Sequence, residues 1–221
     1  MDYHLNLDVV WRNGDQLLYG LVLGLQIAVV SLVIGTIVGL LFAYARVNGP
    51  RWMQRLTAFV VGLVRNSPLL LLVYLIYFGF PAVGVRILDN IESFVFALSI
   101  YSSAYLSEIF RAGLSSIPRS YLDGARSIGL TTFQRQRYVV LPVMFRYVLP
   151  SLGTTFISLF KDTSIATAIA VPELTYVARQ INTNTFRVVE AWGAASVLYL
   201  CVCLALALFF RALERRYAAI R

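Results

Sequence analysis

The chain has 221 residues, of which 59% are hydrophobic and 14% are charged, and its mean hydropathy is +0.73. This composition excludes an ordinary soluble domain and favours a membrane protein. The formal net charge of +8 would suit nucleic-acid binding, but the arginines lie in short groups between apolar segments, which argues against that class.

Apolar segments divide the chain into five predicted membrane-spanning helices. Residues 16–45 and 191–210 contain no charged side chain, and each run reaches the roughly 20 residues that a helix needs to cross a bilayer. The three segments between them are apolar but interrupted by polar residues. The predicted spans are residues 16–45, 56–85, 92–114, 139–171 and 190–212, with a polar loop at 116–138. The predicted fold is an all-α membrane protein with one transmembrane domain.

The distribution of arginines predicts the orientation of these spans. They are concentrated after the first span, around the polar loop and after the fifth span: Arg46, Arg51, Arg55, Arg65, Arg111, Arg119, Arg126, Arg135, Arg137, Arg146, Arg211, Arg215, Arg216 and Arg221. The alternate loops carry only Arg12, Arg86, Arg179 and Arg187. By the positive-inside rule, we expect the amino terminus outside and the carboxyl terminus in the cytoplasm.

The first two spans contain helix-packing and helix-breaking signals. Gly20 and Gly24, like Gly35 and Gly39, are four residues apart, so each pair lies on one helix face. Such pairs allow close helix approach, although glycine is also simply frequent in membrane helices. In the second span, Ser67-Pro68 predicts a helix start or a break, with Ser67 as N-cap and the proline as first helical residue.

The third span presents Tyr101, Tyr105 and Glu108 on one helix face, at spacing i, i+4 and i+7. An acidic side chain in a membrane helix normally faces the protein interior or a cavity. The favoured interpretation is structural: Glu108 pairs with Arg111, three residues later.

The fourth span carries a longer polar stripe. Ser151, Thr155, Ser158 and Asp162 fall at i, i+4, i+7 and i+11, and a hydrocarbon-facing position for such a stripe is energetically implausible. We interpret Asp162, with Thr155, Ser158 and Ser164, as the lining of a substrate pathway. The alternative is a structural role, with an internal ion pair between Lys161 and Asp162 and hydrogen bonds between helices.

Several kinds of chemistry are absent from the sequence. Lys161 is the only lysine and is followed by aspartate, so the Gly-Lys-Ser/Thr of a phosphate-binding loop is missing. His4 is the only histidine, which leaves no catalytic triad, and no metal-ligand cluster is present. We therefore expect no catalytic, metal or cofactor site, and energy must come from another chain or from an ion gradient.

The polar loop carries a spaced motif. Asp123-Gly124-Ala125 is followed after three residues by Gly129, and Leu141-Pro142 closes the segment. This spacing resembles the EAA loop of bacterial ABC import permeases, in which Glu-Ala-Ala precedes the glycine. Here Asp123 stands in place of the usual Glu, and Gly124 in place of the first Ala, which weakens the local helix by ~1 kcal/mol.

Further motifs resemble the polar amino acid permeases among the type I ABC importers. They are Arg65-Asn66-Ser67-Pro68-Leu69-Leu70, Ser103-Ala104-Tyr105, Glu108-Ile109, Arg111-Ala112-Gly113, Ser116-Ile117-Pro118 and Lys161-Asp162-Thr163-Ser164. The resemblance implies a five-helix subunit in the bacterial inner membrane that dimerises with itself or a close relative. It also implies two partner ATPase subunits, which bind ATP and magnesium, and an external solute-binding protein.

The resemblance assigns roles to individual residues. It implies that the ATPase docks on the loop, with Asp123, Ala125, Arg126, Gly129, Leu141 and Pro142 as coupling residues. The cargo would be a polar amino acid, including basic amino acids, or a related opine. We expect Asp162 to receive its α-ammonium group, and the helix start at Ser67 and Leu69 to face its carboxylate.

Two other classes of function remain open from the sequence. A secondary transporter or channel would use an ion gradient, with Asp162 and Glu108 carrying the ions. A purely structural assembly subunit would have no pathway. The spaced loop motif favours the ABC importer, because an ion-coupled carrier has no need for it.

Overall fold

The computed structural model describes residues 4–84 and 88–218, and all regular structure in these residues is helical. The end of the predicted second span at residue 85, and Arg86 and Arg221, lie outside the described residues. The helices are α1 Asp8–Arg12, α2 Gly14–Asn48, α3 Arg51–Arg65, α4 Leu69–Tyr74, α5 Phe80–Ala82, α6 Asn90–Ser115, α7 Arg119–Ser127, α8 Thr132–Arg135, α9 Leu141–Asp162, α10 Leu174–Thr185 and α11 Val188–Ala218. The predicted all-α class is confirmed.

Wider and tighter helical turns join several of these helices. A π-helical turn at Leu75–Gly79 links α4 to α5, and a second one at Gln136–Val140 links α8 to α9. A 3₁₀ turn at Thr163–Ile169 extends α9. In the described residues, these turns join several of the eleven helices into fewer, longer helical rods.

Four of these rods are long and apolar enough to cross a membrane. They are Gly14–Asn48, Asn90–Ser115, Thr132–Ile169 and Val188–Tyr217. A fifth candidate is the pair Arg51–Arg65 and Leu69–Ala82, whose axes are bent by 101° at a short break. The second predicted span is thus a broken helix.

The long helix α2 packs most extensively against α6. At Gly39, an added Cβ would lie 2.9 Å from the carbonyl oxygen of Ser103 and 3.1 Å from the backbone nitrogen of Ser107. A Cβ at Gly35 would overlap the Ser102 side chain. The predicted role of this glycine pair in close helix approach is confirmed, because no side chain fits between the two backbones.

A buried carboxylate organises the other end of α2. Glu173 is fully buried and accepts hydrogen bonds from the backbone N–H groups of Thr175 and Tyr176 and from the Tyr199 hydroxyl. A Cβ at Gly20 would lie 2.9 Å from the Glu173 carbonyl carbon. Glu173 thereby caps α10 and holds α10, α2 and α11 together.

Candidate substrate pathway and coupling segment

The two predicted polar faces, on α6 and α9, meet in one cleft. Glu108 and Ser151 line the same cavity, which has a volume of about 510 Å³. Arg65, Arg111 and Tyr147 also line it. Tyr101 and Tyr105 on α6 and Asp162 on α9 lie beyond the residues that line this cavity. Because α6 packs against α9, we call the space between their polar faces, from Glu108 to Asp162, the α6–α9 cleft.

Glu108 lies at one end of this cleft in a cluster of arginines. Its Oε2 accepts a hydrogen bond of 2.9 Å from Arg111 Nε, and its Oε1 pairs with Arg46 and lies 3.8 Å from Arg65 Nη1. The predicted pairing with Arg111 is confirmed. Sequence reasoning missed Arg46 and Arg65, which come from α2 and α3.

Two tyrosines extend the cluster along α6. The rings of Tyr101 and Tyr105 have centroids 4.8 Å apart, and the Tyr101 hydroxyl donates to the Tyr105 oxygen at 3.2 Å. The Arg65 guanidinium lies 5.3 Å from the Tyr105 ring centroid, within cation–π range. The polar face of α6 therefore continues from Glu108 through two stacked aromatic rings and their hydroxyls.

Asp162 is the half-buried carboxylate at the other end. Within the part of the chain that the structure describes, it forms no ion pair within 4.0 Å and accepts no hydrogen bond. The direct ion pair with Lys161 that the structural alternative predicts does not form within 4.0 Å. A carboxylate in such surroundings is costly unless a cation or water reaches it.

The other predicted pathway residues on α9 differ in accessibility. Ser151 and Ser158 are exposed, whereas Thr155 and Ser164 are half-buried. The Thr155 hydroxyl donates to the Ser151 carbonyl at 2.8 Å, so it is turned back onto its own helix. Ser158 is the hydroxyl of the stripe that lies open beside Asp162, one helical turn away.

At the break between α3 and α4, the carbonyl groups that end α3 are hydrogen-bonded, whereas the first N–H groups of α4 are not. The last four carbonyls of α3 all accept hydrogen bonds: Gly62 from Asn66, Leu63 from the Ser67 hydroxyl, Val64 from the Ser67 N–H, and Arg65 from the Tyr105 hydroxyl. Pro68 is the N-cap of α4, which begins at Leu69 without a side-chain cap. The prediction that Ser67 caps this helix is therefore wrong.

The start of α4 has N–H groups without an acceptor. Among the hydrogen bonds of the described residues, the N–H groups of Leu69 and Leu70 have no acceptor, whereas those of Leu71 and Leu72 reach the Pro68 carbonyl. Leu69 itself is buried at 5% exposure. Unpaired N–H groups at a helix start carry partial positive charge and favour an anion.

The loop at 116–138 folds into the two short helices α7 and α8. Gly129 follows α7 with φ = +75°, its N–H donates to the Arg126 carbonyl, and the Leu130 N–H donates to the Ala125 carbonyl. This pattern is a Schellman motif, which favours glycine at the left-handed position. Asp123 and Arg126 form an exposed ion pair at 3.2 Å, and Ala125 is buried.

The same segment exposes large apolar side chains. Tyr121, Ile128 and Phe133 are 52%, 75% and 72% exposed. Such side chains beside exposed arginines are typical of a protein-docking surface. Sequence reasoning missed them, because their exposure depends on how α7 and α8 pack. We call residues 116–138 the coupling segment.

Two further contacts fix this segment to the helical bundle. The Tyr44 hydroxyl of α2 donates to Gln136 Oε1 at 2.7 Å. Leu141, at the start of α9, is half-buried against the cluster of Phe110 and Met144, whereas Pro142 is exposed. The coupling segment is therefore continuous with α9 and hydrogen-bonded to α2.

Comparisons with known proteins agree on one family. Residues 19–219 match the family described as binding-protein-dependent transport system inner membrane component. The glutamine transport system permease protein GlnP of Escherichia coli (strain K12) is 35% identical over 94% of this chain and 95% of its own. The octopine transport system permease protein OccM of Rhizobium radiobacter is 32% identical over 93% of this chain and 87% of its own.

Solved structures have the same fold. A crystal structure of an amino acid ABC transporter with histidines superposes with a TM-score of 0.88 at 28% identity, covering 97% of this chain and 100% of that one. An inward-facing MetNI methionine ABC transporter gives a TM-score of 0.76 at 18% identity, covering 96% and 99%, which supports the fold alone.

Proposed function

Because this chain belongs to the family of binding-protein-dependent transport system inner membrane components, we propose that it is the permease subunit of an ABC importer for polar amino acids. The observation that carries this proposal is the half-buried Asp162 at the end of α9, which forms no ion pair within 4.0 Å among the described residues. The names of the similar permeases, for glutamine and octopine, support an amino acid or opine as cargo.

The proposed substrate site has two poles. Asp162 receives the α-ammonium group, with Ser158, Thr155 and Ser164 nearby. The open start of α4, at the N–H groups of Leu69 and Leu70, receives the carboxylate. The Ser67 hydroxyl already donates to Leu63, so Ser67 contributes to this pole through the position of the turn. An amino acid carries both an ammonium group and a carboxylate, so one contact for each suits the whole substrate class.

The proposed energy source is a partner ATPase, which binds ATP and magnesium. It docks on the coupling segment, where Asp123, Ala125, Arg126 and Gly129 form the ordered centre and Leu141 and Pro142 lead into α9. The exposed apolar side chains of this segment supply contact area. Two ATPase subunits, a second permease chain and an external solute-binding protein complete the proposed transporter.

The arginine distribution supports the proposed orientation. The coupling segment and the end of α11 face the cytoplasm, and the amino terminus faces outward. The test is cysteine labelling with a membrane-impermeant maleimide in intact cells. A cysteine introduced in place of Ser127, which is exposed, should be labelled only after permeabilisation. Labelling of this cysteine in intact cells would contradict the orientation.

The substitution Asp162→Asn tests the proposed site, because it keeps the size of the side chain and removes its charge. A charge-assisted contact is worth about 1.5–3 kcal/mol, so we expect the apparent substrate affinity to fall roughly ten- to a hundredfold. The measurement is uptake per folded transporter in vesicles that contain the ATPase and the binding protein.

Asp15→Asn is the matched control, because Asp15 is exposed at the start of α2, away from the cleft. It should transport normally. If Asp162→Asn transports normally per molecule and only its folded amount falls, Asp162 is structural. Uptake that follows an ion gradient without the ATPase would contradict the importer itself.

A further inference from the structure

A second cavity lies between α9 and α11, at the arginine-rich end of both helices. Its volume is about 510 Å³, and it is lined by Leu141, Pro142, Phe145, Arg146, Leu149, Leu213 and Tyr217. Three apolar side chains of α9 in this lining are spaced four residues apart: Leu141, Phe145 and Leu149. They form one apolar wall about 12 Å long. We call this cavity the α9–α11 cleft.

Arg146 gives this apolar cleft a single charge. It is exposed, and among the described residues no carboxylate lies within 4.0 Å of it. Arg46 and Arg111, by contrast, are paired with Glu108. Tyr217 is 49% exposed on the facing helix and adds a hydroxyl. The cleft therefore combines an uncompensated guanidinium with a long apolar slot.

The surrounding charge is also positive. The last turns of α11 carry Arg211, Arg215 and Arg216, all exposed, and one acidic residue, Glu214, which is half-buried and forms no ion pair in the described structure. Basic side chains at the boundary between apolar and polar helix surface attract phosphate headgroups. A planar guanidinium also binds phosphate oxygens in a bidentate manner.

We propose that the α9–α11 cleft binds an anionic phospholipid, with its phosphodiester at Arg146 and Tyr217 and an acyl chain along Phe145 and Leu149. Charge complementarity and the apolar wall favour this occupant over a soluble anion, which would not use the wall. The site is independent of which solute the permease moves. Because Leu141 and Pro142 belong to both this cleft and the coupling residues, the competing occupant is a polypeptide of the ATPase.

Native mass spectrometry of the full-length chain tests this proposal, with phosphatidylglycerol and phosphatidylcholine as probes. We expect phosphatidylglycerol to be retained preferentially. Arg146→Gln should weaken its binding about fivefold, the effect of one basic side chain near a phosphate surface. Arg146→Lys should keep most of the binding, and Leu149→Trp should block it by filling the slot without changing the charge.

Arg55→Gln is the matched control, because Arg55 is exposed on α3, outside the cleft. Circular dichroism establishes that each variant is folded. Equal retention of the two lipids by the unchanged chain would overturn the proposal, as would equal losses in Arg146→Gln and Arg55→Gln. Displacement by inorganic phosphate alone would show a simple anion site. Weaker ATPase association of Arg146→Gln in pure phosphatidylcholine would assign the cleft to the ATPase.

Discussion

Glu108 lies where α2, α3 and α6 meet, and its two carboxylate oxygens have different partners. Arg46 and Arg65 share Oε1, whereas Arg111 binds Oε2 from the same helix. The Glu108 side chain is only 21% exposed. One carboxylate therefore separates three guanidinium groups from one another, and two of these, Arg65 and Arg111, are 42% and 39% exposed.

We expect Glu108→Gln to lower the free energy of unfolding by about 2 kcal/mol. This lies between the ~4 kcal/mol typical of breaking a buried ion pair and the less than 1 kcal/mol of an exposed one. The physical reason is that three positive groups would remain together without a counter-charge. The measurement is thermal unfolding in detergent micelles, followed by intrinsic fluorescence.

The control is Asp123→Asn. Asp123 and Arg126 have the same i, i+3 spacing as Glu108 and Arg111, but their side chains are 66% and 63% exposed. This substitution should change stability by no more than about 0.5 kcal/mol. Equal shifts in the two variants would show that the arginine cluster adds nothing beyond an ordinary surface pair.

The pairing of Glu108 with Arg111 could be predicted because both residues lie on one helix. Arg46 and Arg65 could not be assigned to the same carboxylate, since they are distant in sequence and only the packing of α2 and α3 brings them there. The prediction of Ser67 as the N-cap of α4 was wrong for a local reason. Its hydroxyl bonds back to the Leu63 carbonyl, four residues earlier, and this local bond competes with an N-cap.

At the scale of helices, the contact between α2 and α6 depends on glycine. The position of a Cβ at Gly39 is blocked by the backbone of Ser103 and Ser107, which cannot rotate away as a side chain can. The spacing of Gly35 and Gly39 was sufficient to predict a close approach. It could not identify the partner helix, because any facing helix would satisfy the same pattern.

We expect Gly39→Ala to destabilise the chain by about 1–3 kcal/mol, since one methyl group must push two helices apart. Gly62→Ala is the matched control, because a Cβ at Gly62 meets nothing within 4 Å. That change should stabilise α3 by about 0.5–1 kcal/mol through helix propensity. The measurement is the thermal midpoint of each variant in the same lipid nanodisc. Similar behaviour of both variants would contradict the packing role of Gly39.

At the scale of the whole molecule, the coupling segment is connected to the α6–α9 cleft by two routes. α9 runs directly from the segment to Asp162, and the hydrogen bond between Gln136 and Tyr44 leads to α2, which also carries Arg46. We therefore expect a shift of the coupling segment to reach both ends of the cleft. Rigid helices with few discrete arrangements are the elements that transmit such shifts.

We expect Gly129→Val to uncouple ATP hydrolysis from uptake and to leave membrane insertion intact. A β-branched residue at φ = +75° costs about 1–3 kcal/mol, so the turn between α7 and α8 would change shape. A Cβ there meets nothing within 4 Å, which makes the backbone itself the cause. The measurement is the number of substrate molecules taken up per ATP hydrolysed.

Gly124→Ala, in the preceding helix α7, is the control. Its Cβ also meets nothing within 4 Å, and its backbone is helical, so this change should strengthen α7 and preserve uptake. Unchanged transport in Gly129→Val would contradict the assignment of this segment to ATPase docking. The turn itself could be predicted from the position of Gly129, whereas the exposed Ile128 and Phe133 required the structure.

The 101° bend between α3 and α4 has a consequence for the thickness of the barrier that a solute must cross. The helical stretch Leu69–Ala82 is only about 21 Å long, whereas the hydrocarbon layer of a bilayer is about 30 Å thick. This stretch is therefore too short to cross the hydrocarbon layer by itself, and the unpaired N–H groups at its start cannot face lipid tails. Those groups must instead face other parts of the protein or a water-filled cavity. Where such a cavity reaches these groups, the electrically insulating part of the protein is thinner than the membrane around it.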